Sequence, residues 1–167
     1  MDFAGEKGAL CRTLCASGAA VCRLRIAYLN EDVGEMSPEV CARVSAQLPA
    51  YFAAHLSRDC FVHVAEAENG ELVGCVILVC SEKPANPSFS HGKGGTVYGV
   101  YTVPAYRGQG VATALMKLLI AEGTAQGLDR IALSASAMGR SVYEKLGFQV
   151  SHSQYTEMAL DLTEDRT

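Results

Sequence analysis

Arg107-Gly108-Gln109-Gly110-Val111-Ala112 combines residue types whose spacing suits chemistry on an anion. Upstream lies a run dense in Val and Tyr, residues 96–103, closed by Pro104. Downstream, a helical pattern begins at Val111. A strand that passes into a helix through two glycines leaves the first helical N–H groups without internal partners. Those amides carry partial positive charge and form an anion site. Glycine lets a phosphate approach the backbone closely, and Arg107 adds a full charge. The alternative is a plain strand–turn–helix connection whose glycines serve turn geometry. Two other phosphate motifs are excluded by residue. A dinucleotide fingerprint opening at Gly108 would need Gly or Ala where Thr113 stands, and Pro104 intervenes. The P-loop pattern is absent, and His91-Gly92-Lys93-Gly94-Gly95-Thr96 does not supply it.

A second segment runs from Leu133 through Ser136, Tyr143 and Phe148. Ser136 suits either a ligand contact or a helix N-cap. Tyr143 suits either an acid or a core aromatic. His55, His63, His91 and His152 are scattered, and none is assigned to catalysis. The seven cysteines, Cys11, Cys15, Cys22, Cys41, Cys60, Cys75 and Cys80, are odd in number and form no CxxC pair. Most sit in apolar stretches, which reads as buried free thiols in a reducing cytoplasm. A zinc site would need clustered Cys and His spacings, so no metal is expected.

The elements that must position these segments follow from periodicity. Residues 9–14 read as a strand. Residues 19–29, with Val21, Leu24, Ile26 and Tyr28, read as a helix. Ser37-Pro38 is an N-cap with proline at the first helical position. Val40, Val44, Leu48, Tyr51, Phe52 and His55 then recur at three and four, giving an amphipathic helix to about Ser57. Residues 61–67 and 72–80 are β-rich and joined through Asn69-Gly70, a hairpin signal. Residues 83–95 are a loop rich in breakers. Strand 96–103, helix 111–125 stopped at Gly127, strand 130–134 and helix 137–146 stopped at Gly147 follow. Residues 148–150 and 155–162 read as closing strands. The order predicts an α/β sheet with antiparallel and parallel parts.

At 167 residues the chain reads as one domain over 9–167 after a flexible terminus at 1–8. A domain of this size buries roughly 70% of its unfolded surface and folds without disulfide or metal. Apolar residues at 49% and charged residues at 19% are globular values. The net charge of −4 argues against a broad nucleic-acid surface. No run reaches the roughly 20 apolar residues that span a bilayer. Asp2 and Glu6 stand where a secretory signal would carry basic residues, so a cytoplasmic location is expected.

Together the two segments resemble the GNAT superfamily of N-acetyltransferases. That family's pyrophosphate motif, Arg/Gln-x-x-Gly-x-Gly/Ala, is matched by Arg107-Gly108-Gln109-Gly110-Val111-Ala112, and its Tyr-Glu-x-Leu-Gly-Phe signature by Tyr143-Glu144-Lys145-Leu146-Gly147-Phe148. The resemblance covers roughly residues 9–162, and the segment from Tyr155 to Leu160 looks like the family's last strand. It implies a single domain with a mixed, centrally splayed β-sheet flanked by helices. It implies acetyl-coenzyme A as cosubstrate. Main-chain groups of Tyr101, Thr102 and Val103 would pair with pantetheine. Amides of Arg107, Gly108, Gln109, Gly110, Val111 and Ala112 would hold the pyrophosphate. Ser136 stands where many members have an Asn that contacts coenzyme A, but it is shorter. Tyr143 matches the tyrosine that often protonates the leaving thiolate.

One departure matters. Several members carry a Glu on the strand before the pyrophosphate motif as general base, and residues 96–103 contain no carboxylate. Asn30-Glu31-Asp32, read as the loop after the first helix, is the segment expected to border the acceptor, with Glu31 and Asp32 as candidates. Their alternative is a solvated loop. The implied activity is acetyl transfer to an amine of a small molecule or peptide, with a homodimer possible, as in many relatives. A different class also fits: a degenerate domain that holds acyl-coenzyme A as a sensor or interaction module without turnover.

Overall fold

The computed structural model describes residues 3–4, 10–13, 18–152 and 155–162. Among the described residues, six strands form one sheet in chain order: β1 (Phe3–Ala4), β2 (Leu10–Thr13), β3 (Cys60–Glu66), β4 (Leu72–Glu82), β5 (Lys93–Thr102) and β6 (Arg130–Ala132). Antiparallel pairs join β1 through β5, and β6 joins β5 in parallel. The expected mixed α/β sheet flanked by helices is the observed fold.

Helices α1 (Ala19–Asp32) and α2 (Pro38–His55) cover one face, where Val21, Leu24, Leu48 and Phe52 pack on Val62, Val64 and Ile77. Helix α3 (Val111–Ala125) covers the other, with Leu115, Met116 and Leu119 fully buried against Val76 and Leu78. Helix α4 (Arg140–Lys145) adds Tyr143 to that core. With both faces covered, β4 is buried at every residue from Val73 to Leu78, which explains its continuous apolar run. The local signals act as expected. Ser37 Oγ accepts the Val40 N–H at 3.3 Å to cap α2. Gly70 takes φ +82 in the β3–β4 hairpin, where its N–H reaches the Ala67 carbonyl at 2.9 Å.

Several boundaries differ, each for a physical reason. Strand Phe3–Ala4 falls inside the segment expected to be a flexible terminus; the rest of residues 1–8 lies outside the described residues. Helix α1 continues through Asp32, so Asn30, Glu31 and Asp32 are its last turn rather than a loop. No breaker interrupts it before Gly34, and the Val33 N–H still bonds the Leu29 carbonyl at 3.0 Å. Strand β5 starts at Lys93 rather than residue 96, because the Asp129 carboxylate accepts the His91 and Lys93 N–H groups and shortens the loop. Helix α4 starts at Arg140, not residue 137, because Ser136 Oγ accepts the Gly139 N–H and holds that stretch as a turn. Residues 148–150 and 155–162 are not strands. Phe148 packs edge-on against Tyr143 at 6.2 Å, whereas Met158, Leu160 and Leu162 lie exposed, so their alternation has no buried face to serve.

Strand β5 also carries an irregularity. Cys75 faces Tyr101 while Ile77 faces Tyr98, so Gly99 and Val100 together oppose Val76. This is a β-bulge, which bends its strand and raises the local twist. Gly99 takes φ +62, and a Cβ there would lie 2.8 Å from Arg25 Nη1. Beside the bulge, Gly74 of β4 lets the start of α3 settle onto the sheet. A Cβ on Gly74 would stand 3.0 Å from the Tyr101 carbonyl oxygen and 3.1 Å from Val111 Cγ1. Gly74→Val is therefore expected to destabilise the fold by about 1–3 kcal/mol, the range for overpacking a core. Thermal denaturation should show a fall in Tm of about 2–4 °C for each kcal/mol.

Candidate active site

Strand β6 pairs with β5 only at Gly94, Gly95 and Thr96. From Val97 onward β5 has no strand on that side among the described residues. The sheet opens there into a cavity of about 710 Å³. Its walls are the end of β5, the glycine turn and first turn of α3, the last turn of α1, and the segment from Ser136 to Lys145. Both chemistry-bearing segments found in the sequence thus meet in one space.

The glycine turn is built to leave donors open. Gly108 and Gly110 take φ +71 and +79, values that disfavour any side chain. Gly110 is the N-cap of α3 and brings no capping side chain. The N–H groups of Gly108, Gln109, Gly110, Val111, Ala112 and Thr113 donate to no protein acceptor among the described residues. Six unpaired amides at the positive end of a 15-residue helix make an anion site with the geometry that the glycine spacing suggests. On the cavity wall, the buried Thr102 hydroxyl lacks a partner among the described residues.

The neighbouring main chain is more committed. The Val103 N–H donates to the Val73 carbonyl at 2.8 Å, toward β4. The Thr102 carbonyl accepts Arg107 Nε at 2.9 Å. Tyr101 lies under the Arg107 guanidinium, 5.9 Å from its ring centre. Arg107 is therefore folded back along β5, and its Nη2 donates to Glu31 Oε2 at 2.6 Å. That bond, from a carboxylate on the opposite wall, raises the Arg107 pKa above its ordinary value. Ser136 lines the cavity, and its Oγ accepts the Gly139 N–H as described above.

Tyr143 is 9% exposed, and its ring abuts Gly139, where a Cβ would lie 2.9 Å from Tyr143 Cε2. Its hydroxyl has no protein hydrogen-bond partner among the described residues, and the residue lines the cavity. Burial pushes the phenol above its ordinary pKa, and the nearby Tyr28 adds to the shift. Tyr143 is thus a protonated donor throughout the neutral range.

Glu31 and Asp32 both reach the cavity, as does Tyr28, which the sequence reading passed over. Tyr28 lies three and four residues before them, the spacing that puts side chains on one helix face. Its hydroxyl donates to Asp32 Oδ2 at 3.2 Å, and its pKa is raised by burial and by Asp32. Lys145 lines the cavity from α4 and was also missed. Its spacing gave no signal, because residues two apart on a helix do not share a face.

A model of the GNAT acetyltransferase family matches residues 27–148. The chain belongs to that family. No significant match is found among proteins of curated function. Among solved structures, a GCN5-related N-acetyltransferase from Ralstonia eutropha is 27% identical, with TM-score 0.75 over 90% of this chain and 99% of that one. A predicted acetyltransferase from Clostridium acetobutylicum, solved with acetyl-CoA, is 24% identical, with TM-score 0.75 over 89% and 94%. A glucosamine-6-phosphate N-acetyltransferase from Arabidopsis thaliana shares the fold at 18% identity and TM-score 0.62, over 89% and 97%. The GNAT fold supports acyl transfer from acetyl-coenzyme A as the general chemistry, and the residues present fit that cosubstrate. The open amides suit a pyrophosphate, and the cavity accommodates a chain beside β5.

If the turn holds the pyrophosphate, an added carboxylate must repel it. Gly110→Asp, whose new Cβ meets no heavy atom within 4 Å but strains a backbone at φ +79, is expected to weaken acetyl-coenzyme A binding at least tenfold, or about 1.4 kcal/mol. Calorimetric titration of the folded variant measures this, and unchanged affinity would move the pyrophosphate elsewhere.

Proposed function

We propose that this protein transfers the acetyl group of acetyl-coenzyme A to an amine of a small molecule or peptide by direct attack. The observation that carries the reading is that Gly108, Gly110, Val111, Ala112 and Thr113, whose amides are open, line the same cavity as a protonated Tyr143 whose hydroxyl has no protein partner among the described residues. The neutral amine nitrogen adds to the thioester carbonyl carbon. A main-chain N–H of β5 beside the gap stabilises the oxygen that gains charge. The C–S bond then breaks, and the departing sulfur takes the Tyr143 proton. The phenol regains a proton from solvent, and the new amide nitrogen loses its extra proton to solvent.

A second reading, acyl-coenzyme A binding without turnover, is favoured by one observation. Strand β5 holds no carboxylate, Glu31 is engaged by Arg107, and Asp32 accepts from Tyr28. Free-thiol release from acetyl-coenzyme A with a panel of small-molecule and peptide amines separates the two. We also propose a reducing, cytoplasmic setting, supported by the free thiols Cys22, Cys41, Cys60, Cys75 and Cys80. Burial pushes the Cys60 thiol up to about 11 and Cys75 up to about 12, so both remain unreactive neutral groups at neutral pH.

Tyr143→Phe retains the ring that packs on Gly139 and Phe148 and removes only the hydroxyl. The expected result is a fall in kcat of about 10²–10⁴-fold, the range for general-acid catalysis, with acetyl-coenzyme A affinity little changed. Turnover at the wild-type level would make Tyr143 a packing residue. The pH profile adds an independent check. A raised phenol pKa means the proton is present below the ordinary value near 10 and is lost only above it. Tyr143 should therefore cause no alkaline loss of kcat below about pH 10. A loss centred near pH 8 that disappears in the Phe variant would contradict the burial argument.

A further inference from the structure

We propose that Glu31 and the cofactor compete for Arg107, so that Glu31 is a positioning residue that withholds the guanidinium from the anion site until acetyl-coenzyme A displaces it. The inference rests on reading the glycine turn as the pyrophosphate site. Arg107 immediately precedes that turn, yet its charge is directed across the cavity to the last turn of α1. Two bonds hold it there, and they differ in kind. Nε donates to the Thr102 carbonyl at 2.9 Å, a main-chain anchor at the root of the guanidinium. The Glu31 contact, at 2.6 Å, is made by a terminal nitrogen. The Glu31 carboxylate can therefore be displaced from the terminal nitrogen while Nε keeps its main-chain anchor.

Magnitude decides which partner prevails. The Arg107 and Glu31 side chains are 32% and 41% exposed, and pairs so open to water contribute little, about fivefold in an equilibrium at most. A pyrophosphate offers more charge and several acceptor oxygens, and it is held by the open amides at the same time. The ion pair is thus strong enough to order Arg107 in the free protein and weak enough to yield to the cofactor. It also places a full carboxylate near the approaching anion, which a merely structural strap would not require.

The test is calorimetric titration of acetyl-coenzyme A into wild type, Glu31→Gln, Arg107→Gln and the double variant, at low salt, with folding checked by circular dichroism. Competition predicts that Glu31→Gln binds about two- to fivefold more tightly than wild type, a gain that loss of a supporting contact cannot produce. Arg107→Gln should bind more weakly, and the gain from Glu31→Gln should be clearly smaller in that background. Unchanged or weakened binding by Glu31→Gln overturns the proposal. So does an equal gain in both backgrounds, because that reports general charge removal rather than competition for Arg107. Wild type that binds acetyl-coenzyme A while Glu31→Gln shows no gain overturns this inference alone. Wild type that does not bind acetyl-coenzyme A overturns the reading of the glycine turn as well.

Discussion

Among the described residues, strand β5 has a strand on each side for only three of its residues, Gly94, Gly95 and Thr96. Beyond them it carries the bulge at Gly99 and Val100, which bends and twists a strand. β6 ends at Ala132, and one edge of β5 faces a cavity instead of another strand. Main-chain donors and acceptors along such an edge need partners, and an extended ligand can supply them as an added strand would. The helices then take positions that this opening allows. Helix α3 starts where β5 stops, and α4 crosses the far side carrying Tyr143.

The site separates two electrostatic tasks between backbone and side chains. The anion site is made of amides, which cannot be titrated and need little reorganisation because the αL glycines hold the turn. Side-chain charge is kept in balance away from that turn: Arg107 is neutralised by Glu31, and Asp32 is held by Tyr28. The result is a cavity whose positive end is permanent and whose charged walls are exchangeable.

Local chemistry was legible in the sequence, and long-range partnership was not. The two glycines before Val111 specified a helix start with open amides because both facts follow from neighbouring residues. The cap at Ser37 and the hairpin at Gly70 are equally local. The pairing of Arg107 with Glu31 joins residues 76 apart and has no signature in either segment. The alternation Met158, Leu160, Leu162 suggested a strand, but a period of two states only that one face would be apolar. Whether an edge and a buried surface receive it depends on the rest of the fold, and here those side chains are exposed. Asn30, Glu31 and Asp32 follow the last apolar residue of the helical pattern and were read as the loop after it, yet the helix continues because nothing interrupts its hydrogen bonds before Gly34.

The acid role proposed for Tyr143 does not conflict with its burial. A free thiol has a pKa near 8.5 and a phenol near 10, so proton transfer from tyrosine to a thiolate is uphill by about 1.5 units, or about 2 kcal/mol. Burial raises the Tyr143 pKa and enlarges that deficit if the proton moves after the thiolate has formed. The deficit shrinks if a hydrogen bond to sulfur is already present as the C–S bond stretches, because stabilisation is required only in the transition state. The hydroxyl lines the cavity and has no protein acceptor among the described residues to which it is already bound. Desolvation thus weakens Tyr143 as an acid in equilibrium terms while leaving its one proton free for an acceptor that enters the cavity.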